Sequence, residues 1–468
     1  MQRRTITIIG GGFSGAMLLV QLAHLRGGPH PIDVHLVEPR PAPGPGLAYS
    51  ARRPEYLLNV RTPALSAFPG DPDHFTNWVA TTELPACAQQ FCSRQIYGRY
   101  LQELVSTVLA QPAMNGMRFF WYQDAAVAAT VAPDKYSATV QLASGHALRT
   151  DQVVLALGNF APLPPTGPAQ AYLHHPTYHG NPWAKGALRG IAPEHSVLLI
   201  GSGLTAVDVL LGLAADGHTG PVTVVSRNGR WPAEHGPITT GYPSFYATEL
   251  AGLTTVGAVL RAVRGRVRAA ARQGIDWRPV LDSLRPDLGR IWAAWPLAEQ
   301  ARFLRHLASI WSVVRHRSPP QNQAAVQAML DAGIVRMQLG RVRQLVPQGE
   351  DLAVQIEKRG YQHWLTARHV ITCTGPLLDY RRIDDPLVIG LREAGQLVPD
   401  PLGLGMLTDS HGALLDKEQQ VSPVFFTLGP SRRPAYFEST AVPELRQQAL
   451  ALAQWLAEMS DSQKRLSS

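Results

Sequence analysis

Thr5-Ile6-Thr7-Ile8-Ile9-Gly10-Gly11-Gly12-Phe13-Ser14-Gly15 is the stretch that decides the fold. A β-rich run ends in G-x-G-x-x-G, and an apolar helical pattern follows from Ala16 to Leu25. A second strand, Asp33 to Val37, ends in Glu38, 23 residues after the last glycine. Each part has a physical task. Gly10 makes the tight turn, Gly12 lets the backbone approach a pyrophosphate, and Gly15 lets helix and strand pack closely. Phe13 and Ser14 lie at the start of the helix, where free N–H groups and the helix dipole favour phosphate. Glu38 stands where a carboxylate accepts hydrogen bonds from adenosine ribose hydroxyls. Arg40, two residues on, reads either as an adenine-side contact or as a solvated loop arginine.

The pattern returns later in the chain. Ser196 to Ile200 is a strand, Gly201-Ser202-Gly203-Leu204-Thr205-Ala206 follows, and an apolar helix continues through Leu211. Ala206 takes the place of the third glycine, which the motif allows. The next strand, Val222 to Val225, runs into Ser226-Arg227 instead of an acid. An acid there would repel a 2′-phosphate, whereas Arg227 can pair with one, and Arg230 can add to it. NADPH is therefore the preferred reading, with NADH as the alternative and a merely exposed Arg227 as the plain one. Two such sites in one chain imply FAD held at the first and NAD(P)H visiting the second to deliver hydride.

Further strands fit this plan. Asp151 to Leu157 ends at Gly158 and His369 to Thr374 ends at Gly375, each shaped like the strand that closes a dinucleotide domain. Val424 to Leu428 ends at Gly429 and reads as the strand bringing the last FAD contacts, with a helix over about 442–459 behind it. The predicted class is α/β, with two Rossmann-like dinucleotide-binding domains. The FAD domain takes 1–160 and 376–468, a Pro- and His-rich linker 161–194, and the NAD(P)H domain 195–375. Inside the latter, a helical insertion over about 240–330 reads as a cap over the active site or a homo-oligomer face.

Composition narrows the partners. The 468 residues carry a net charge of +8, and only five of the 43 basic residues are lysine. Arginine suits planar anions and phosphates. Without a Lys-rich run or basic tail, nucleic acid is not an expected partner. No stretch has the length of a membrane span, and the glycines break the short apolar run near the N-terminus that imitates a signal peptide. Cys87, Cys92 and Cys373 read as too few and too scattered for a disulfide framework or a zinc site, which fits a reducing cytoplasm. His174, His175 and His179 have no accompanying acid or cysteine, so no metal is expected.

Other segments carry a resemblance. They include Ile9 to Gly15, Gly44 to Tyr49, Tyr56-Leu57-Leu58-Asn59-Val60, Ser66 to Phe75, Tyr97 to Leu101, Arg315-His316-Arg317 and Glu438 to Arg446. Together these resemble bacterial FAD/NAD(P)-binding flavoprotein monooxygenases, a family that includes a flavoprotein urate hydroxylase and an aspartate N-hydroxylase. The chain departs from it at Ser93, Phe437 and Arg61. The resemblance implies an NAD(P)H-dependent enzyme whose reduced flavin and O2 form a C4a-hydroperoxide that hydroxylates a small electron-rich substrate. Urate, giving 5-hydroxyisourate, is the lead substrate. N-hydroxylation of an amino acid or amine, and a flavin reductase or dehydrogenase without oxygen insertion, are the alternatives. It places Leu58 and Asn59 beside the flavin, and Arg61 and Arg99 as candidate substrate anchors with surface or phosphate-facing roles as the alternative. Asn59 is the candidate to hydrogen-bond the isoalloxazine or peroxide, or else a turn residue; His74 reads as a base or, more simply, as a helix-start residue.

Overall fold

In the computed structural model the described residues are 3–459, apart from 26–30, 51–52, 83–86, 88, 112, 167–169 and 239–240. Two parallel sheets organise the chain. The first has the order 413–415, 421–427, 152–155, 4–9, 32–37, 117–122, antiparallel only at its 413–415 edge. The second has the order 335–339, 222–226, 197–200, 369–372, 178–179, parallel throughout. Such sheets are covered on both faces, which is why their strands are near-continuous apolar runs. Arg4–Ile9 is buried at every position except Thr5, and Val197–Ile200 at all. The Phe13–His24 helix packs on the Val442–Glu458 helix within the first core.

Register brings the chemistry to one edge of each sheet. Ile9 pairs with Val37 and Leu155, so Gly10, Glu38 and Ala156 emerge together. Ile200 pairs with Val225 and Thr372, so Gly201, Ser226 and Cys373 emerge together. This is the carboxyl edge at which open α/β sheets bind ligands.

Several features differ from the sequence reading. Tyr178–His179, inside the stretch read as a linker, adds an edge strand to the second sheet. Three-stranded antiparallel sheets occupy 126–150 and 341–367. Helices fill 256–331, but Pro320–Asp331 packs on the Leu204–Ala215 helix and so belongs to the second sheet's core. The cysteine reading is corrected. Cys87 and Cys92 form a disulfide, their Cα atoms 5.1 Å apart. That separation suits the bond, and sequence spacing alone does not reveal the turn that creates it. The argument for a reducing compartment falls with it. No helix among the described residues is long and apolar enough to cross a membrane.

At the rim of the second sheet the His369 ring joins His179 (3.1 Å) and His195 (3.0 Å). Burial, with like-charged neighbours, pushes the His369 pKa down to about 4. The folded value lies below the unfolded one, so the unfolded chain binds the extra proton and stability is lost as pH falls from about 6.5 towards 4. Urea unfolding at pH 5 is expected to give about 2 kcal/mol less stability than at pH 7.5 from this group. His369→Gln should remove that share of the pH dependence. An unchanged profile in the variant would refute the assignment.

Candidate functional site

A cavity of about 300 Å³ opens between the two sheet edges. Gly10, Gly12, Phe13 and Ser14 line one side and Leu204 and Thr205 the other, with Gly158 and Gly375 between them. Both glycine motifs therefore face one chamber, of a size that suits small-molecule ligands.

The first motif has the shape needed for a close approach by phosphate. Gly10 has φ +101°, and a side chain there would run into the Ala156 carbonyl. A Cβ on Gly46 would come within 2.8 Å of the Gly12 Cα, so the Gly44-Pro45-Gly46 turn seals the cradle. Gly15 faces the Gly10 carbonyl and Ile8, where any side chain would push helix and strand apart. Gly12 precedes the helix without a side-chain cap, leaving first-turn N–H groups for a ligand. Glu38 is buried; its carboxylate accepts from the Gly11 N–H (2.8 Å) and from Arg40 Nε (2.8 Å). Arg40 itself lines the cavity. Gly429, at φ +93°, lies against Ser14 Oγ. These features fit a dinucleotide such as FAD.

The second motif repeats the geometry. Gly201 has φ +110° and abuts the Cys373 carbonyl, Gly203 precedes the helix, and Ala206 is buried. Arg227 and Arg230 are exposed beyond the strand end, and neither has an ion pair among the described residues. The Ser202 hydroxyl donates to the Arg230 carbonyl (2.8 Å), fixing the loop that carries them.

The resemblance-derived residues divide. Leu58 is buried and its N–H donates to the Cys92 carbonyl (2.9 Å). The Asn59 carbonyl accepts from His235 Nε2 (3.0 Å), and Arg61 donates to the Gly236 carbonyl (2.7 Å) while lying over Phe91. This segment thus ties the first sheet's unit to the loop that follows the Val222–Ser226 strand of the second sheet. Burial pushes the His235 pKa down to about 4, leaving a neutral ring as donor. Arg99 is exposed on the Arg94–Leu109 helix, and His74 begins the His74–Ala80 helix with Nδ1 2.8 Å from the Tyr100 hydroxyl. None of these five, Leu58, Asn59, Arg61, Arg99 or His74, lines the nucleotide cavity.

Sequence reasoning missed Arg94. It lines the cavity, pairs with buried Asp208 at 2.7 Å, and lies over Trp183. Its Nε is buried without an acceptor. Burial pushes the Asp208 carboxyl up to about 6, against the pull of Arg94. A second missed cluster joins the insertion to the C-terminal segment. Arg285 pairs with Glu444, and Glu438 accepts from Arg315 (2.9 Å) and from the Trp311 indole (3.0 Å). A signal existed for Arg94: a cation in the first turn of a helix opposes the dipole, so its placement needs another reason.

The FAD-NAD(P)-binding family model matches residues 7–160. No curated protein matches by sequence. The fold is similar to that of the reduced ornithine hydroxylase of Pseudomonas aeruginosa, with TM-score 0.65 and 14% identity over 98% of this chain and 99% of that one. It is similar to the ornithine N-hydroxylase of Kutzneria sp. 744, solved with reduced FAD, NADP+ and L-ornithine, with TM-score 0.65 and 13% identity over all of both chains. The L-lysine 6-monooxygenase of Pseudomonas syringae gives 0.64 and 16% over 97% and 99%. At these identities the likeness is one of fold: an α/β architecture with paired dinucleotide-binding units.

Proposed function

We propose that the protein is an FAD-dependent, NADPH-using monooxygenase that hydroxylates the amine nitrogen of an amino acid or diamine. The observation that carries the reading is the single cavity lined by both glycine motifs, in a chain that follows the N-hydroxylating enzymes over its full length. Urate, the lead expected from sequence, gives way to the amine because the structural relatives named act on ornithine and lysine.

Bound FAD supplies the chemistry of hydride acceptance and O2 activation. The chain's residues supply the rest. The Gly10–Gly15 turn and helix would hold the pyrophosphate, and Glu38 would receive the ribose hydroxyls, with Arg40, bonded to Glu38, at the cavity wall beside it. Gly201–Ala206 cradles the visiting nucleotide's pyrophosphate, and Arg227 with Arg230 pairs with its 2′-phosphate. Arg94, which lines the cavity, is the cation available to an anionic group between the two. Arg61 keeps N–H groups beyond its bond to Gly236, but neither Arg61 nor Asn59 lines the nucleotide cavity, so a substrate-anchoring role for either rests on the family resemblance alone.

Replacing Arg227 with Glu is expected to lower kcat/KM for NADPH about a hundredfold while leaving NADH nearly unchanged. Equal losses with both donors would remove the phosphate role. The reading as a whole is tested by NADPH consumption in air with ornithine, lysine, cadaverine, aspartate and urate, with hydroxylamine assayed in parallel. An amine that stimulates consumption and yields hydroxylamine supports it. Urate loss in place of hydroxylamine would restore the purine reading, and consumption indifferent to every substrate would favour a flavin reductase.

A further inference from the structure

A second cavity, of about 510 Å³, lies in the helical insertion and touches neither glycine motif. One wall is the Val256–Arg272 helix, which presents Val256, Val259, Leu260, Val263 and Val267 at helical spacing. From Val256 to Val267 a helix rises about 16 Å, so the cavity is an elongated groove. The facing walls carry Trp292, Trp295 and Trp311. The Ala308–Arg315 helix lines the groove with Ile310, Trp311 and Val314, yet buries none of its residues. A concave, almost wholly apolar lining of this kind suits a small apolar ligand.

Among the described residues, the only charged ones on the lining are Arg264 and Arg268, one turn apart towards the C-terminal end of the same wall. Both are exposed, and neither is in an ion pair among the described residues, whereas Arg266 between them pairs with Glu249. The Trp295 indole N–H is buried without an acceptor. An apolar length ending in two unpaired guanidinium groups matches an aliphatic chain with a terminal carboxylate. Helices facing one another across the groove favour a single chain between them over a bilayer surface.

The groove also adjoins the nucleotide chamber. Phe437, at φ +58°, forms its inner wall and stacks on Trp292 at 4.8 Å. Thr440, three residues on, lines the nucleotide cavity. A backbone held in this sparsely populated region points to a site under functional constraint.

We propose that this groove binds a medium-chain aliphatic carboxylate, its chain along the Val256–Arg272 helix and its carboxylate on Arg264 and Arg268. The site does not depend on the oxygen chemistry proposed above. Four of the ten tryptophans, Trp277, Trp292, Trp295 and Trp311, line it, so their fluorescence reports occupancy.

The test titrates the purified full chain with dodecanoate. Saturable fluorescence change is expected, weakening about fourfold for each methylene removed from the chain. Dodecanol should bind about tenfold more weakly, and Arg264→Glu combined with Arg268→Glu about a hundredfold. Val263→Trp should fill the groove and abolish binding while leaving the unfolding transition intact. The proposal is overturned by any of four results: no saturable binding, equal binding of dodecylammonium, capture of the protein by anionic vesicles with no response to free dodecanoate, or a dimer that Val263→Trp dissociates.

Discussion

Gly10→Ala is expected to give a protein that purifies without flavin. The added Cβ meets the Ala156 carbonyl, and a residue with a side chain must hold φ near +101°. Strain of this kind costs about 1–3 kcal/mol, and a backbone clash adds a similar amount. Relief requires the Gly10 turn to move away from the 152–155 strand, which displaces the helix N-terminus from the phosphate position. FAD affinity should fall at least about a hundredfold, since misplaced N–H donors lose several charge-assisted bonds together. Gly70→Ala is the control, because nothing lies within 4 Å of its Cβ position and its φ is not left-handed. Flavin content, read as absorbance per mole of chain, separates the two. Full flavin in Gly10→Ala would disprove the cradle.

Arg94→Ala is the second large effect. It leaves the Asp208 carboxylate buried with no counter-charge, and removing one partner of a buried pair typically costs about 3–5 kcal/mol. Asp208 belongs to the Leu204–Ala215 helix of the second motif, and Arg94 begins a helix packed on the first. Losing the pair therefore loosens the two nucleotide sites from one another. Arg53, bonded to Asp216 and to the Gly212 carbonyl on the same helix, keeps part of the contact. NADPH-driven flavin reduction should slow more than flavin binding weakens. Arg94→Met with Asp208→Leu should recover much of the stability without recovering the reduction rate, a pattern a purely structural pair would not give. Recovery of both would reduce Arg94 to a structural role.

The two glycine motifs were legible because strand, turn, helix and second strand are contiguous, and each residue's task is local. Glu38 was found by counting from Gly15, and the structure puts it at the expected strand end. Pairings across the fold were not legible. Arg94 and Asp208 are far apart in the chain, and only the docking of two helices brings them together. The Cys87–Cys92 bond depends on a turn that composition does not encode. The antiparallel strands over 126–150 and 341–367 are half-exposed, so they lack the continuous apolar runs that mark the buried parallel strands. Arg99 was placed by resemblance alone, and the structure turns it outward; His74 opens the His74–Ala80 helix, as the plainer reading of its neighbours expected.

On the proposed function, hydride taken at the second motif and O2 used at the first place an oxygen atom on a substrate nitrogen. The most direct measurement is a single turnover. The flavin-loaded protein is reduced with NADPH without air, then mixed with the responding amine and isotopically heavy dioxygen, and the product is weighed by mass spectrometry. A hydroxylamine carrying one heavy oxygen atom is expected for each flavin reoxidised. Unlabelled product, or flavin reoxidised to peroxide with the amine unchanged, would contradict it.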